Sequence, residues 1–285
     1  MANQYLKMIS SFIITFRETL EAALIVGIIL SYLLKTKKDK YNNVVYLGII
    51  SAIVASIIGA LLFNALAGGF EGRAEEIFEG ITMVFASLLI TFMILWMLKQ
   101  KHIALELHQK VEKEINEQHK LGLFLLVFVS VLREGIETVI FLGAASLSAT
   151  TENSLIGAIL GLIVAIILGY IIFIGSKKIN LKAFFNTTSI LLILFSAGLL
   201  AHGVHEFQEA KVLPTYIEHV WDINPSLNPD GSYPLFHEEG AIGSIAKGLF
   251  GYNGNPSLLE ITSYIAYLIL IIFLWRNIDR IHKVI

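Results

Sequence analysis

The sequence FRETLE at residues 16–21 and the sequence LREGIE at residues 132–137 decide the fold. Each lies in the middle of an apolar run that is long enough to cross a bilayer, which takes roughly 20 residues as a helix. A charged side chain at that depth costs at least about 2.5–3.5 kcal/mol. Six ionisable groups in two such runs therefore predict a polar site inside a helical membrane protein.

The composition agrees with this interpretation. Of the 285 residues, 55% are hydrophobic and 15% are charged, whereas soluble domains carry about 25% charged residues. Apolar runs recur along the chain, and they predict an all-α integral membrane protein with seven transmembrane helices. The predicted spans are 8–34, 43–66, 75–98, 121–147, 154–175, 184–204 and 258–275. Because charged residues interrupt the first span, we do not expect it to be a cleaved signal sequence.

The composition also limits the chemistry. The chain has no cysteine, which excludes disulfides, thiolate metal ligands and thiol catalysis. A bound metal must therefore be held by carboxylate, imidazole, carbonyl or hydroxyl groups. The net charge of −2 is uninformative as a sum, because the position of charges relative to the membrane matters more. Nothing supports nucleic-acid binding, and the hydrophobic composition makes membrane lipid the expected surrounding.

The two motifs indicate an internal repeat. Each opens a unit of three predicted helices, and the second and fifth spans also match, with Gly48 and Gly157 at corresponding positions. Because three crossings invert the next copy, we predict two inverted repeats with a substrate site near the midplane. The predicted segments are a first repeat at 1–98, a cytoplasmic amphipathic connector at 99–120, a second repeat at 121–204, an extracytoplasmic acidic loop at 205–257, and a seventh transmembrane helix with a cytoplasmic tail at 258–285.

Positive charge is distributed unequally between the two sides of the predicted bundle. The connections after spans one, three, five and seven carry 15 lysine or arginine residues, and the other side carries four. Positively charged short loops tend to stay in the cytoplasm. We therefore predict a multi-pass protein of the cell membrane with its N-terminus outside and its C-terminus in the cytoplasm.

Helical spacing places each motif on one face of its helix. The arginine and the second glutamate are four residues apart, and the two glutamates are three apart. A purely structural interpretation pairs each arginine with one glutamate and leaves the other carboxylate buried alone, which is costly. Four glutamates against two arginines leave two excess negative charges, which suits a multivalent cation. The predicted metal ligands are Glu18, Glu21, Glu134 and Glu137, with Arg17 and Arg133 as supporting residues that orient them.

A second group of side chains lies at the outward end of the sixth span and at the start of the third. Charged helix ends exposed to water are common, and a first-turn glutamate is favoured by the helix dipole, so each member has an ordinary structural interpretation. Those in the sixth span nevertheless share one helical face. The predicted entrance ligands are Glu79, His202, His205, Glu206 and Glu209.

The chain resembles the oxidase-dependent iron permease family of fungi and bacteria. The resemblance rests on Arg-Glu-X-X-Glu in spans one and four, on Glu79-Gly80 and residues 93–97 (MILWM) in span three, and on GYNGNPS at 251–257. It implies iron as the transported substrate, with no cofactor, and a need for the residues of both motifs in uptake. It also implies that a separate ferroxidase or extracytoplasmic iron-handling protein is a partner.

The resemblance and the residues together predict a permease that imports iron, iron(III) in particular, and not an enzyme. Two alternatives remain open. Oxygen ligands suit many hard metals, so the first alternative is a transporter or channel for another divalent cation. The second is an intramembrane metal-dependent enzyme built on His202, His205 and Glu206, which the duplication of the buried carboxylates disfavours.

Overall fold

The computed structural model describes residues 2–99, 109, 111–114, 119–147, 154–174 and 181–284. This part of the chain is helical and contains no strand. A short 3-10 turn at Asp39–Tyr41 separates the first two helices. The helices are α1 (Ala2–Lys35), α2 (Asn42–Ala67), α3 (Arg73–Lys99), α4 (Lys120–Leu147), α5 (Ser154–Ile174), α6 (Leu181–Glu209), α7 (Ala241–Phe250) and α8 (Leu258–Val284).

Each predicted span lies on one of the long helices, α1 to α6 and α8. Four of these helices are long and apolar enough to cross a membrane, and α5 has a shorter apolar stretch, Leu155–Ile171. In α1 and α4 the charged motifs interrupt the apolar run. The four apolar stretches are Asp39–Ala67, Arg73–Trp96, Thr188–Glu209 and Leu258–Asn277. The chain is therefore an all-helical membrane protein.

The structure adds detail around the outer loop. The predicted sixth span ends at 204, and α6 continues to Glu209, in agreement with the shared helical face predicted for His202, His205, Glu206 and Glu209. The predicted loop 205–257 is accordingly shorter, and it contains α7. Most of the predicted connector 99–120 lies outside the described residues. Residues 111–114 of it are helical, and Val111 is buried.

The helices pack in three main pairs: α1 with α5, α2 with α4, and α3 with α6. Glycine permits a close approach in these pairs. A Cβ atom added at Gly161 of α5 would lie 2.5 Å from the carbonyl oxygen of Phe12 in α1. One added at Gly80 of α3 would lie 3.1 Å from the carbonyl oxygen of Gly203 in α6. Such small residues give membrane helices their van der Waals contact.

Two apolar clusters enclose the charged motifs. The first joins α3, α6 and α8 to Ile14 of α1 and Phe141 of α4. The second joins α1, α2 and α4 and includes Ile29 and Val131. In α1 the motif lies between Ile14 and Ile29, and in α4 it lies between Val131 and Phe141. Each motif is thus held between two packed layers.

We expect Gly161→Ala to destabilise the protein by about 1–3 kcal/mol, as overpacking does, because backbone atoms of α1 occupy the space of the new methyl group. Gly59→Ala in α2 is the matched control, since a Cβ atom there meets nothing within 4 Å. Alanine is the better helix former by about 1 kcal/mol, so the control should keep or gain stability. Thermal unfolding in detergent measures both, and equal midpoints would refute the packing argument.

Candidate metal centre

The two motifs meet where α1 contacts α4. One carboxylate oxygen from each of Glu18, Glu21 and Glu134 lies within 4.8 Å of the other two, and all three residues are buried. Among the described residues this is the only group of three or more acidic or histidine side chains that converge as metal ligands would. Oxygen ligands in this number suit a hard cation.

Each arginine bridges both glutamates of its own motif. Arg17 Nη1 lies 2.7 Å from Glu18 Oε1, and its Nη2 lies 2.8 Å from Glu21 Oε1. Arg133 pairs with Glu134, and its Nε lies 3.6 Å from Glu137 Oε1. Both glutamates of each motif therefore have a guanidinium partner, where the structural interpretation paired each arginine with one glutamate; a guanidinium group has donors enough for two carboxylates but only one positive charge.

Three buried carboxylate oxygens of the motifs lack a hydrogen-bond donor. Glu18 Oε2, Glu134 Oε2 and Glu137 Oε2 are buried and have no hydrogen-bond partner in the described part of the protein. A buried polar atom left without a partner is costly, and a charged one more so. Four carboxylates and two guanidinium groups also leave an excess of negative charge. A cation among these oxygens would correct both deficits.

The two motifs differ in exposure. The side chains of Arg17 and Glu18 are 0% and 1% exposed, whereas those of Arg133 and Glu137 are 41% and 17% exposed. Glu137 therefore lies at the edge of the site, and it is absent from the converging group. The same sequence pattern gives a sealed half in α1 and an open half in α4.

Sequence reasoning missed two contacts that α3 makes with the arginines. Arg17 Nη1 donates a hydrogen bond to the sulfur of Met93 at 3.0 Å. The guanidinium carbon of Arg133 lies 4.9 Å from the ring centre of Trp96, a cation–π geometry. The only sequence signal for either residue is that both fall in the MILWM stretch at 93–97.

His205 is held in an ion-pair arrangement at the outer end of α6. Its Nδ1 lies 3.1 Å from Glu260 Oε1, and its Nε2 lies 3.2 Å from Glu209 Oε1. Glu260 also accepts hydrogen bonds from the backbone N–H of Ser257 at 2.9 Å and from Asn253 Nδ2 at 2.7 Å. Sequence analysis missed Glu260, although it is the single acidic residue of the predicted seventh span.

The remaining candidate entrance ligands lie in two nearby places. Glu79 and Glu206 are half-buried and interact electrostatically, because α3 and α6 cross closely at Gly80. His202 lines a cavity of about 400 Å³ together with Glu260. In the described residues these side chains do not converge as ligands of one metal ion.

The helical bundle and its buried carboxylates define an all-α membrane protein with a charged site in its interior. Residues 8–277 match the sequence profile of the Iron permease FTR1 family. The chain belongs to this family, which confirms the resemblance seen in its motifs: it is an iron-transport protein of the permease type.

Two relatives illustrate the similarity. The chain is 34% identical over 261 residues to the ferrous iron permease EfeU of Escherichia coli O6:H1 (strain CFT073), covering 90% of this chain and 91% of the relative. It is 35% identical over 261 residues to the ferrous iron permease EfeU of Yersinia pestis, covering 90% and 89%. No solved structure matches the chain significantly.

Replacing one arginine at a time tests how the site is held together. Arg17→Gln leaves Glu18 and Glu21 buried beside a neutral group, and removing one partner of a buried pair costs about 3–5 kcal/mol. Arg133→Gln should cost less, because the side chain of Arg133 is 41% exposed and Glu137, one of the two carboxylates it leaves, is 17% exposed. Unfolding of both variants in detergent, followed by circular dichroism, gives the two losses. Equal losses would contradict the difference in burial.

Proposed function

We propose that the protein imports iron across the cell membrane through the carboxylate site between α1 and α4. The observation that carries this proposal is the convergence of Glu18, Glu21 and Glu134 inside the bundle of an iron permease family member. Their oxygens are hard ligands of the kind that iron accepts, and some have no other partner. Iron is the cargo of this site.

The arginines determine how tightly the site binds. Without them four carboxylates would hold a multivalent ion too firmly, and a transport site must also release its ion. Arg17 and Arg133 each occupy one oxygen of two glutamates, which reduces the negative field. The remaining oxygens bind the ion, and Glu137 at the open edge receives or releases it.

Contacts between equivalent residues support the two inverted repeats. Ser87 of α3 and Ser196 of α6 form a hydrogen bond of 2.9 Å across 109 residues of sequence, the same separation as between Gly48 and Gly157. Helix α1 packs along α5 as α4 packs along α2, which a two-fold relation between the halves requires. We place seven spans around this axis, with the carboxylates near the midplane.

Two observations bear on the oxidation state of the iron, and they point to different ions. The hard oxygen ligands predict iron(III). The relatives are named ferrous iron permeases, and this name favours iron(II). Carboxylates bind both ions, so uptake of each must be measured separately. A separate ferroxidase or extracytoplasmic iron-handling protein remains the predicted partner.

The alternatives are weighed by the same geometry. Another divalent cation would fit carboxylate oxygens equally well, so competition between metals must decide that question. An intramembrane metal-dependent enzyme needs His205 as a ligand, but both of its ring nitrogens lie within 3.2 Å of a glutamate oxygen. This arrangement disfavours the enzyme alternative, because both ring nitrogens already have a partner.

Uptake into proteoliposomes tests the proposal. Glu18→Gln and Glu134→Gln each remove one ligand charge at nearly constant volume. Iron uptake should fall by roughly tenfold or more, the factor that corresponds to about 1.4 kcal/mol of lost binding. Radioactive iron is supplied as iron(II) with ascorbate and, in parallel, as iron(III) citrate, with manganese and zinc as competitors.

Glu71→Gln is the matched control, because Glu71 is exposed beyond the end of α2, and its uptake should equal that of the wild type. Full uptake by both site variants would remove the carboxylates from the pathway. Stronger transport of manganese than of iron would favour the alternative cation.

The absence of natural cysteine allows a direct test of orientation. Asp39→Cys lies after α1 and Leu227→Cys lies in the outer loop, and both positions are exposed. In intact cells a membrane-impermeant maleimide should label Leu227→Cys, and it should label Asp39→Cys only after permeabilisation. The reverse pattern would invert the predicted topology.

A further inference from the structure

One turn of α3 contacts the arginines of both motifs. Met93 and Trp96 are three residues apart and therefore lie on one helical face. Met93 accepts a hydrogen bond from Arg17 through its sulfur at 3.0 Å, and Trp96 faces Arg133 at 4.9 Å. Neither residue belongs to an Arg-Glu-X-X-Glu motif. A single helical segment thus touches the two halves of the carboxylate site.

The position of each guanidinium group decides whether the site can accept a cation. An arginine side chain is long, and a guanidinium group that moved among the glutamates would satisfy the oxygens that an ion needs. Burial already restrains Arg17, which is 0% exposed, and Met93 adds a contact to it. Burial does not fix Arg133, which is 41% exposed. The indole face of Trp96 lies on that side chain and limits where it moves.

The two α3 residues suit this task because they attract a guanidinium group without neutralising it. A thioether sulfur is a weak, uncharged acceptor, and an indole ring offers its negative face to a cation. Neither adds a charge to the site, so the excess negative charge remains available to iron. A third acidic partner in their place would bind the arginines more firmly but would change the total charge.

We propose that Met93 and Trp96 are positioning residues for iron transport: they hold Arg17 and Arg133 at the edge of the carboxylate cluster and so keep Glu18 and Glu134 open to the ion. They act through the arginines and do not bind iron themselves. The inference rests on the proposed function of the carboxylate site. Trp96 contributes more to positioning than Met93 does, because Arg133 is exposed and Arg17 is buried.

The test compares iron uptake by proteoliposomes of wild type, Trp96→Leu, Trp96→Phe and Phe92→Leu. Trp96→Leu removes the aromatic face and should raise the apparent KM for iron about threefold or more, the size of a modest cation–π contact. Trp96→Phe keeps a weaker aromatic face, so its apparent KM should lie between those of Trp96→Leu and the wild type. Phe92→Leu removes an aromatic ring four residues away that is 69% exposed, and its KM should not change.

A second measurement separates positioning from general packing. Iron binding to detergent-solubilised protein is measured for Trp96→Leu, for Arg133→Gln and for the double variant. If Trp96 acts through Arg133, the tryptophan substitution should have little further effect once the arginine is gone. The same comparison is made for the other contact with Met93→Leu, which conserves volume, with Arg17→Gln and with the double variant of the two.

The outcomes distinguish the two proposals. If wild type transports iron and Trp96→Leu has the wild-type KM, or if Phe92→Leu raises KM equally, the positioning role is refuted while the transport proposal stands. If Trp96→Leu weakens binding equally with and without Arg133, the residue only packs, and the inference fails. If wild type transports no iron, the proposed function fails and the inference falls with it.

Discussion

The structure depends on one electrostatic imbalance: four carboxylates and two guanidinium groups are buried together in a bundle that is otherwise apolar. Burying an uncompensated charge is expensive, so the surrounding helices must either neutralise the excess or be arranged to receive a cation. The arginines neutralise two of the four carboxylate charges, one in each motif. The other two carboxylate charges remain as an excess in the site, and iron is the ion that we propose this excess receives.

The close crossings of the helices follow from the same requirement. Carboxylate oxygens from α1 and α4 reach within 4.8 Å of one another only if the helices that support them pack tightly. Gly161 lets α5 approach α1. Gly135 likewise lets α4 approach α2, because a Cβ atom at this position would overlap the side chain of Ser56. Interfaces of small residues thus set the distance between two charged motifs.

The motif residues were predictable because charge in the middle of an apolar run is visible in sequence. Their approach to one another was expected from the inverted repeat that their duplication predicts. The contacts of Met93, Trp96 and Glu260 were not predictable, because each depends on which helix lies opposite, and an isolated methionine, tryptophan or glutamate carries no period or spacing. The continuation of α6 to Glu209 was predictable, because the spacing of His202, His205, Glu206 and Glu209 already places them on one helical face.

The unequal exposure of the motifs indicates from which side an ion reaches the site. A guanidinium group facing lipid would be costly, so the space beside Arg133, which is 41% exposed, is best filled by water. An ion that reaches the cluster through this space meets Glu137 first and then the buried oxygens of Glu134 and Glu18. Arg17 in the other motif is fully buried among the described residues, so an ion that leaves the site past Arg17 needs α1 to move. The transport that we propose therefore requires the buried half to open, and two halves with the same motif would provide carboxylate ligands at both ends of that movement.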